Sequence, residues 1–204
     1  MMIDFIEVYD NALSSERCKE IISYIHMHNL IAGGSQANNG KTMYDKNVKD
    51  DWEVPGHLTR FPGLHSKPTK YIMECLQEYT KQYREKYPSI DNALASWNVT
   101  EEYNLQKYDP GQGYHQVHCE AGTLQTSPRV AVWMIYLNTV TDNGGTRFEV
   151  YDKELDAVEG RLVIWPAYWT HTHHGIVSET QEKYIATGWY SFQSETDIIN
   201  SIVN

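Results

Sequence analysis

The feature that most constrains this chain is a change of hydrophobic period near its middle. From Trp97 onward the apolar residues stop recurring at helical spacing and begin to alternate. Trp97, Val99, Glu101, Tyr103, Leu105 and Lys107 fall on one side of an extended segment, with Asn98, Thr100, Glu102, Asn104 and Gln106 on the other. Strand-like runs follow at 129–138, 146–151, 161–165 and 183–192. Asp-Pro-Gly-Gln-Gly, Asp-Asn-Gly-Gly and Glu-Gly punctuate them as turn formers. A parallel sheet needs a helix between successive strands, and no such helical pattern intervenes. Short strands joined by turns predict an antiparallel β-sandwich or barrel.

The first half reads differently. Phe5–Val8 is a short strand, and a helix starts at Ser14 or Ser15, either of which can cap it, with Glu16 favourable in the first turn. Cys18, Ile21, Ile22 and Ile25 form its buried stripe. A second helix runs from about Ser66 to Tyr87, with Pro68 near its start, Pro88 as its stop and Ile72, Cys75, Leu76, Tyr79 and Tyr83 on its apolar face. Ala32–Gly40 is rich in Gly, Asn and Ser and reads as a loop. Thr42–Phe61 reads as irregular, with Trp52 and Phe61 as anchors. Both stretches are equally compatible with a substrate lid and with plain surface loops. The predicted layout is one domain, with residues 1–96 as helical support and 97–193 as the β core.

Charge narrows the partners. With 17 Lys and Arg against 27 Asp and Glu, the net charge is −10, which repels phosphate backbones, so no nucleic-acid partner is expected. No apolar run approaches the ~18 residues of a membrane span. The start, MMIDFIEVYD, lacks the basic and apolar regions of a signal peptide. A soluble cytoplasmic protein is expected. Cys18, Cys75 and Cys119 are odd in number and form no CxxC pair, which argues against a disulfide framework or a structural zinc site.

The chemistry concentrates around histidine, five of the nine lying between His115 and His174. In an extended segment residues two apart project together, so His118 and Glu120 share a face and Cys119 points away. A third metal ligand is available from His171, His173 or His174, next to the run 161–165. Two imidazoles and one carboxylate on one face of an octahedron leave three positions open, the arrangement of non-haem Fe(II) oxygenases. Lys183 follows His173 by ten residues, at the head of an alternating run. A buried lysine requires an anion, and a dicarboxylate cosubstrate supplies one. Tyr108 and Tyr136 can donate hydroxyl hydrogen bonds to the same carboxylate.

These elements together resemble the prolyl 4-hydroxylase-type 2-oxoglutarate/Fe(II)-dependent dioxygenases, and are similar to the small phage and bacterial members. The resemblance rests on Tyr108-Asp-Pro-Gly111, His118-Cys-Glu120, Arg129…Tyr136-Leu-Asn138, Gly144-Gly-Thr-Arg-Phe148, Leu162-Val-Ile-Trp165, His173, Lys183 and Trp189, and covers roughly residues 97–193. It implies a mostly β fold with N-terminal helices around a double-stranded β-helix (jelly-roll, cupin-like) core. It implies His118, Glu120 and His173 as iron ligands, the offset to Lys183 favouring His173 over His171. It implies Lys183, Tyr108, Tyr136, Thr187 and Trp189 around 2-oxoglutarate. Fe(II), 2-oxoglutarate and O2 are the implied cofactors, with ascorbate as an accessory reductant. The implied reaction hydroxylates C4 of a peptidyl proline and releases succinate and CO2. Two departures stand out: most of the family has Asp where this chain has Glu120, and its Gly-Gly-Thr turn is one residue short.

Alternative readings are a metal-dependent cupin-like hydrolase or isomerase, and a hydroxylase of a small molecule. His115 is expected at the site entrance. Trp52, Trp133, Trp165, Tyr168 and Trp169 are candidate aromatic walls for a peptide, with core packing the expected role of Trp133 and Trp165.

Overall fold

The computed structural model describes residues 3–36, 42–55, 59 and 66–194. In chain order its elements are β1 (Glu7–Tyr9), α1 (Ser15–His26), β2 (Ile31–Ala32), β3 (Ser35–Gln36), β4 (Thr42–Met43), β5 (Lys49–Asp50), β6 (Trp52–Glu53), α2 (Lys67–Lys86) and α3 (Ser89–Ala93). Then come β7 (Trp97–Asn98), β8 (Asn104–Tyr108), β9 (Gly113–Tyr114), β10 (Arg129–Tyr136), β11 (Thr146–Phe148), β12 (Lys153–Leu155), β13 (Leu162–Pro166), β14 (His173–Gly175) and β15 (Lys183–Phe192). A 3-10 turn at Trp169–His171 precedes β14.

Both long helices begin where capping chemistry places them. The Ser14 hydroxyl accepts from the Arg17 N–H, and the Ser66 hydroxyl from the Thr69 N–H, each satisfying a donor that the first turn leaves free. Cys18, Ile21 and Ile25 of α1 and Ile72, Cys75, Leu76 and Tyr83 of α2 are buried. Among the described residues no helix is long and apolar enough to cross a membrane.

The main antiparallel sheet has eight strands in the order β1-β13-β10-β15-β8-β6-β2, with β7 paired to the far end of β15. Three short N-terminal strands therefore extend a sheet whose centre comes from the C-terminal half. Its two faces are both covered, which explains the nearly unbroken apolar run Arg129–Tyr136. Ala131, Trp133 and Ile135 of β10, Leu162 and Ile164 of β13, and Tyr184 and Ala186 of β15 pack under the helices. Val132, Met134 and Tyr136, Val163 and Trp165, and Ile185 point the other way, against Phe148 and Leu155 of the second sheet, β12-β11-β14. Two sheets face to face with a shared interior make the sandwich, closed as a double-stranded β-helix. Gly188 is needed at the helix face, because a Cβ there would come 2.5 Å from the Trp133 indole.

The expected strand across residues 97–107 is broken. Asn98 pairs with Ser191, so an unbroken ladder would set residue 102 opposite Thr187; Asn104 is found there instead. Two extra residues are accommodated between β7 and β8, a bulge that turns Thr100, Glu101 and Glu102 onto the rim of the cleft described below. The run read at 146–151 ends at Phe148, since residues 149–152 turn, with Asp152 at φ 47. Residues 42–55, read as irregular, hold β4, β5 and β6. Phe61 and residues 37–41 lie outside the described residues.

Candidate metal centre and its cleft

His118 and His173 face each other across a single antiparallel bridge, each backbone N–H donating to the other's carbonyl at 3.0 and 2.9 Å. Two residues on, the Glu120 N–H donates to the Ala167 carbonyl at 3.0 Å, tying the carboxylate-bearing turn to the chain after β13. Nε2 of His118 lies 3.3 Å, and Nε2 of His173 3.5 Å, from Oε1 of Glu120. One ligand atom from each of the three residues falls within 4.8 Å of the others. Each imidazole is also fixed from behind: Nδ1 of His118 contacts the Gln116 carbonyl at 2.8 Å, and Nδ1 of His173 the His171 carbonyl at 2.9 Å. With Nδ1–H donating outward, Nε2 carries its lone pair inward in both rings.

The electrostatics agree with a cation site. Burial works to raise the Glu120 pKa, but protons on the facing Nε2 atoms of His118 and His173, when they stand in the place of a metal ion, hold the carboxyl well below the usual range. Burial, and then the neighbouring His118, keep His173 below the ordinary imidazole range, so it is neutral at pH 7. Metal–ligand bonds of about 2.1 Å at right angles put adjacent donors about 3 Å apart. The observed nitrogen–oxygen separations are close to that, and two nitrogens with one hard oxygen suit Fe(II). The donor set fits the ion.

His171 is excluded by its own bonds. Its Nε2 contacts the Asp4 carbonyl at 2.7 Å and its Nδ1 the Thr170 hydroxyl at 2.9 Å, leaving neither nitrogen for a metal. His174 points opposite, with Nδ1 2.8 Å from Glu149. His115 is exposed and does not line the cleft.

Pairing of β8 with β15 sets Lys183 opposite Tyr108, with the ammonium 4.5 Å above the phenol ring. A Cβ at Gly175, two residues past His173, would lie 3.7 Å from the same Nζ. Lys183 is buried, and among the described residues no carboxylate comes within ion-pair distance of it. Burial, offset in part by the field of Asp51, lowers its pKa to about 8. The Tyr108 hydroxyl donates to Gln106 at 3.2 Å, and that of Tyr136 shares a 2.7 Å hydrogen bond with Thr146. Thr187 turns its hydroxyl to the Trp133 carbonyl, 3.0 Å away. Trp189 donates its indole N–H to Oε2 of Glu120 at 2.8 Å. Period-two alternation puts Lys183, Thr187 and Trp189 on the interior face of one strand.

A cleft of about 920 Å³ opens onto His118 and Glu120. Trp133 and Trp165 are core, as expected, while none of the other aromatic candidates, Trp52, Tyr168 and Trp169, lines it. Trp52 instead donates to Asp109, and Trp169 stands 75% exposed elsewhere. The wall is built from Lys49, Glu53, Asn104, Gln106, Tyr114 and Trp189. Tyr114 stacks on the His118 ring with centroids 3.7 Å apart and planes 13° from parallel. Arg129, quoted in the sequence without a role, reaches Oε2 of Glu120 at 3.4 Å and pairs with Glu101 at 2.8 Å. Its signals in the sequence are its place at the head of a strand run and in the element Arg129…Tyr136-Leu-Asn138.

Residues 103–191 match the family model of the 2OG-Fe(II) oxygenase superfamily. No curated protein sequence matches the chain. Similar solved structures include a viral collagen prolyl hydroxylase from Paramecium bursaria Chlorella virus-1, 18% identical, covering 93% of this chain and 97% of that one with a TM-score of 0.68. A Pseudomonas putida prolyl-4-hydroxylase is 16% identical over 94% of each chain, with a TM-score of 0.64. A Trichoplax adhaerens prolyl hydroxylase, solved with a hypoxia inducible factor peptide fragment, is 15% identical over 97% of this chain and 87% of that one, TM-score 0.68. The superfamily's cofactors are Fe(II), 2-oxoglutarate and O2. The matched stretch, which holds all three candidate ligands and Lys183, resembles the domain of the 2-oxoglutarate- and Fe(II)-dependent dioxygenases, and the chain shares its fold with prolyl hydroxylases.

Proposed function

We propose that this protein is a 2-oxoglutarate- and Fe(II)-dependent dioxygenase that hydroxylates an unactivated C–H bond at C4 of a proline within a polypeptide. His118, Glu120 and His173 hold Fe(II), and Lys183 pairs with the distal carboxylate of 2-oxoglutarate. When bound, these groups with O2 supply the oxidising power for hydroxylation, with succinate and CO2 as co-products. The chain contributes orientation and exclusion of water. Backbone carbonyls behind both histidines prevent ring rotation. Tyr114 packs flat against His118. Lys183, protonated at neutral pH, is buried beside Tyr108 and close to Gly175, two residues past His173, where water has little access.

The observation that carries the reading is a buried ammonium with no carboxylate in ion-pair distance among the described residues, on the same strand as the Trp189 that donates to Glu120. A hydrolase or isomerase needs the metal and has no use for that cation. A small-molecule hydroxylase is the second reading, favoured by the polar cleft wall of Glu53, Asn104 and Gln106. The test is to supply purified protein with Fe(II), 2-oxoglutarate, O2 and ascorbate, then proline-containing peptides or free proline. Succinate formation that depends on Fe(II), and peptide gaining one oxygen at C4, is the expected result. Oxygen found only in free proline would move the assignment to the second reading, and no 2-oxoglutarate turnover under any condition would overturn both.

A further inference from the structure

The two oxygens of Glu120 have different employment. Oε1 faces the imidazole nitrogens at 3.3 and 3.5 Å. Oε2 faces away and is held twice, by the Trp189 indole N–H at 2.8 Å and by Arg129 Nη1 at 3.4 Å. The holders are themselves fixed. The Arg129 guanidinium lies flat over the Trp189 ring at 3.5 Å, and its other nitrogens bond Glu101 at 3.1 and 2.8 Å. A register shift between Arg129 and Ala131 sits where this side chain leaves the β10 ladder.

This assembly answers a difficulty specific to glutamate. A Glu has one more rotatable bond than an Asp, so an unrestrained carboxylate can present both oxygens to a cation. Two histidines and one carboxylate oxygen fill three of six octahedral positions. A keto acid chelating through two atoms, with O2, needs the other three. A second carboxylate oxygen would take one of them. We propose that Trp189 and Arg129 are positioning residues that withhold Oε2, so that Glu120 offers a metal a single oxygen and the remaining positions stay open. This rests on the iron-binding reading above.

Co(II) added to metal-free protein tests it without turnover, because its visible absorption reports coordination number. Trp189→Phe removes the N–H and keeps the stacking; Trp189→His restores a donor. The expected result is that Trp189→Phe changes the Co(II) spectrum toward higher coordination and weakens 2-oxoglutarate binding to the Co(II) form about tenfold, the energy of one charge-assisted hydrogen bond, with Trp189→His recovering part of both. The double variant Arg129→Met/Glu101→Gln, which leaves no unpaired charge between those two sites, should move both readouts the same way, and covers the case in which the tryptophan variants misfold. Folded variants with the wild-type spectrum and wild-type 2-oxoglutarate affinity would overturn the proposal. Wild-type protein that binds no Co(II) would instead overturn the metal reading on which it rests.

Discussion

Two lysines are buried in the sandwich, and they are treated in opposite ways. Lys49 and Lys183 are 5% and 6% exposed. Lys49 is enclosed by carboxylates: it pairs with Glu53, lies 3.4 Å from Asp51 and points at the Gly34 carbonyl. Lys183 has an aromatic ring beneath it and, among the described residues, only the distant field of Asp51. A polar path joins them. Glu53 accepts from Gln106 at 2.8 Å, Gln106 accepts from Tyr108, and the Tyr108 ring supports Lys183. Desolvating a cation costs several kcal/mol unless an anion or hydrogen bonds compensate. Lys49 has its compensation inside the protein, which marks it as architecture. Lys183 lacks it among the described residues, which is what the proposed role of pairing with a ligand's carboxylate requires.

The largest effect expected from this contrast is on stability. Lys49→Met leaves Glu53 and Asp51 buried beside each other without their cation, and should cost about 3–5 kcal/mol. Denaturant midpoints on the metal-free protein measure it. The corresponding change at the other site should do the reverse: Lys183→Met removes an uncompensated charge and should stabilise at pH 7. The sign follows from the pKa. Because burial lowers Lys183 to about 8 from an ordinary 10.5, the unfolded chain binds the proton more tightly. The penalty is complete below pH 8, shrinks as pH rises from 8 to 10.5, and vanishes above. The advantage of Lys183→Met should therefore fade across that window. A Lys183→Met protein less stable than wild type at pH 7 would make the two lysines equivalent and remove the contrast.

Ligand binding separates them next. Lys183→Ala should raise the 2-oxoglutarate KM on the order of 100-fold, the usual loss when one partner of a buried charge pair is truncated. Lys49 lines the cleft but has its charge spent, so its conservative variant Lys49→Arg, which keeps that charge, should leave that KM nearly unchanged. Equal losses in the two variants would show that the cosubstrate carboxylate is read by the cluster as a whole.

How much of this was visible in the sequence differs between the two lysines, for a physical reason. Lys183 heads a ten-residue strand, and strict alternation over that length sets which side chains share its inner face with Thr187 and Trp189. His118 and Glu120 were likewise readable, since a two-residue spacing in extended chain needs no long-range information. The choice among His171, His173 and His174 required the offset to Lys183. Lys49 and Asp51 stand on or beside strands two residues long, which carry no period, and their partner strands are β9 and β8, over fifty residues away. The same limit hid Arg129 and Glu101. Their meeting depends on two ladder irregularities, at 99–103 and at Arg129/Ala131, and register shifts arise from pairing rather than from local composition. The other aromatic candidates failed because Tyr168 and Trp169 lie at a 3-10 turn and Trp52 on a two-residue strand, where no period sets which way a ring faces.

The pH response follows the same lysine. Below pH 8 the free protein holds Lys183 charged, and 2-oxoglutarate affinity should be flat; above it, affinity should fall up to tenfold per pH unit, as binding must first restore the proton. Calorimetry across pH 6.5–9.5 with an inert metal measures this. A break displaced to near 10 would mean that Lys183 is far better compensated than its surroundings indicate.

The smallest effect links the two regions directly. Asp51 is pushed up to about 7 by burial, opposed by Lys49 and reinforced by Glu53. Its field also supports the ammonium of Lys183. Gly33 gives it room: a Cβ there would come 1.8 Å from its Oδ1. Asp51→Asn keeps the shape and removes the charge, so Lys49 still has Glu53 while Lys183 loses that supporting field. The break in the 2-oxoglutarate profile should move down by about half a unit, the scale of a single distant charge inside a protein. Affinity at pH 6.5 should stay unchanged, because Lys183 remains protonated there in both proteins. A variant that lowers affinity equally at every pH would locate the role of Asp51 in the shape of the site. A shifted break with a common low-pH plateau would locate it in the charge that the two lysines share.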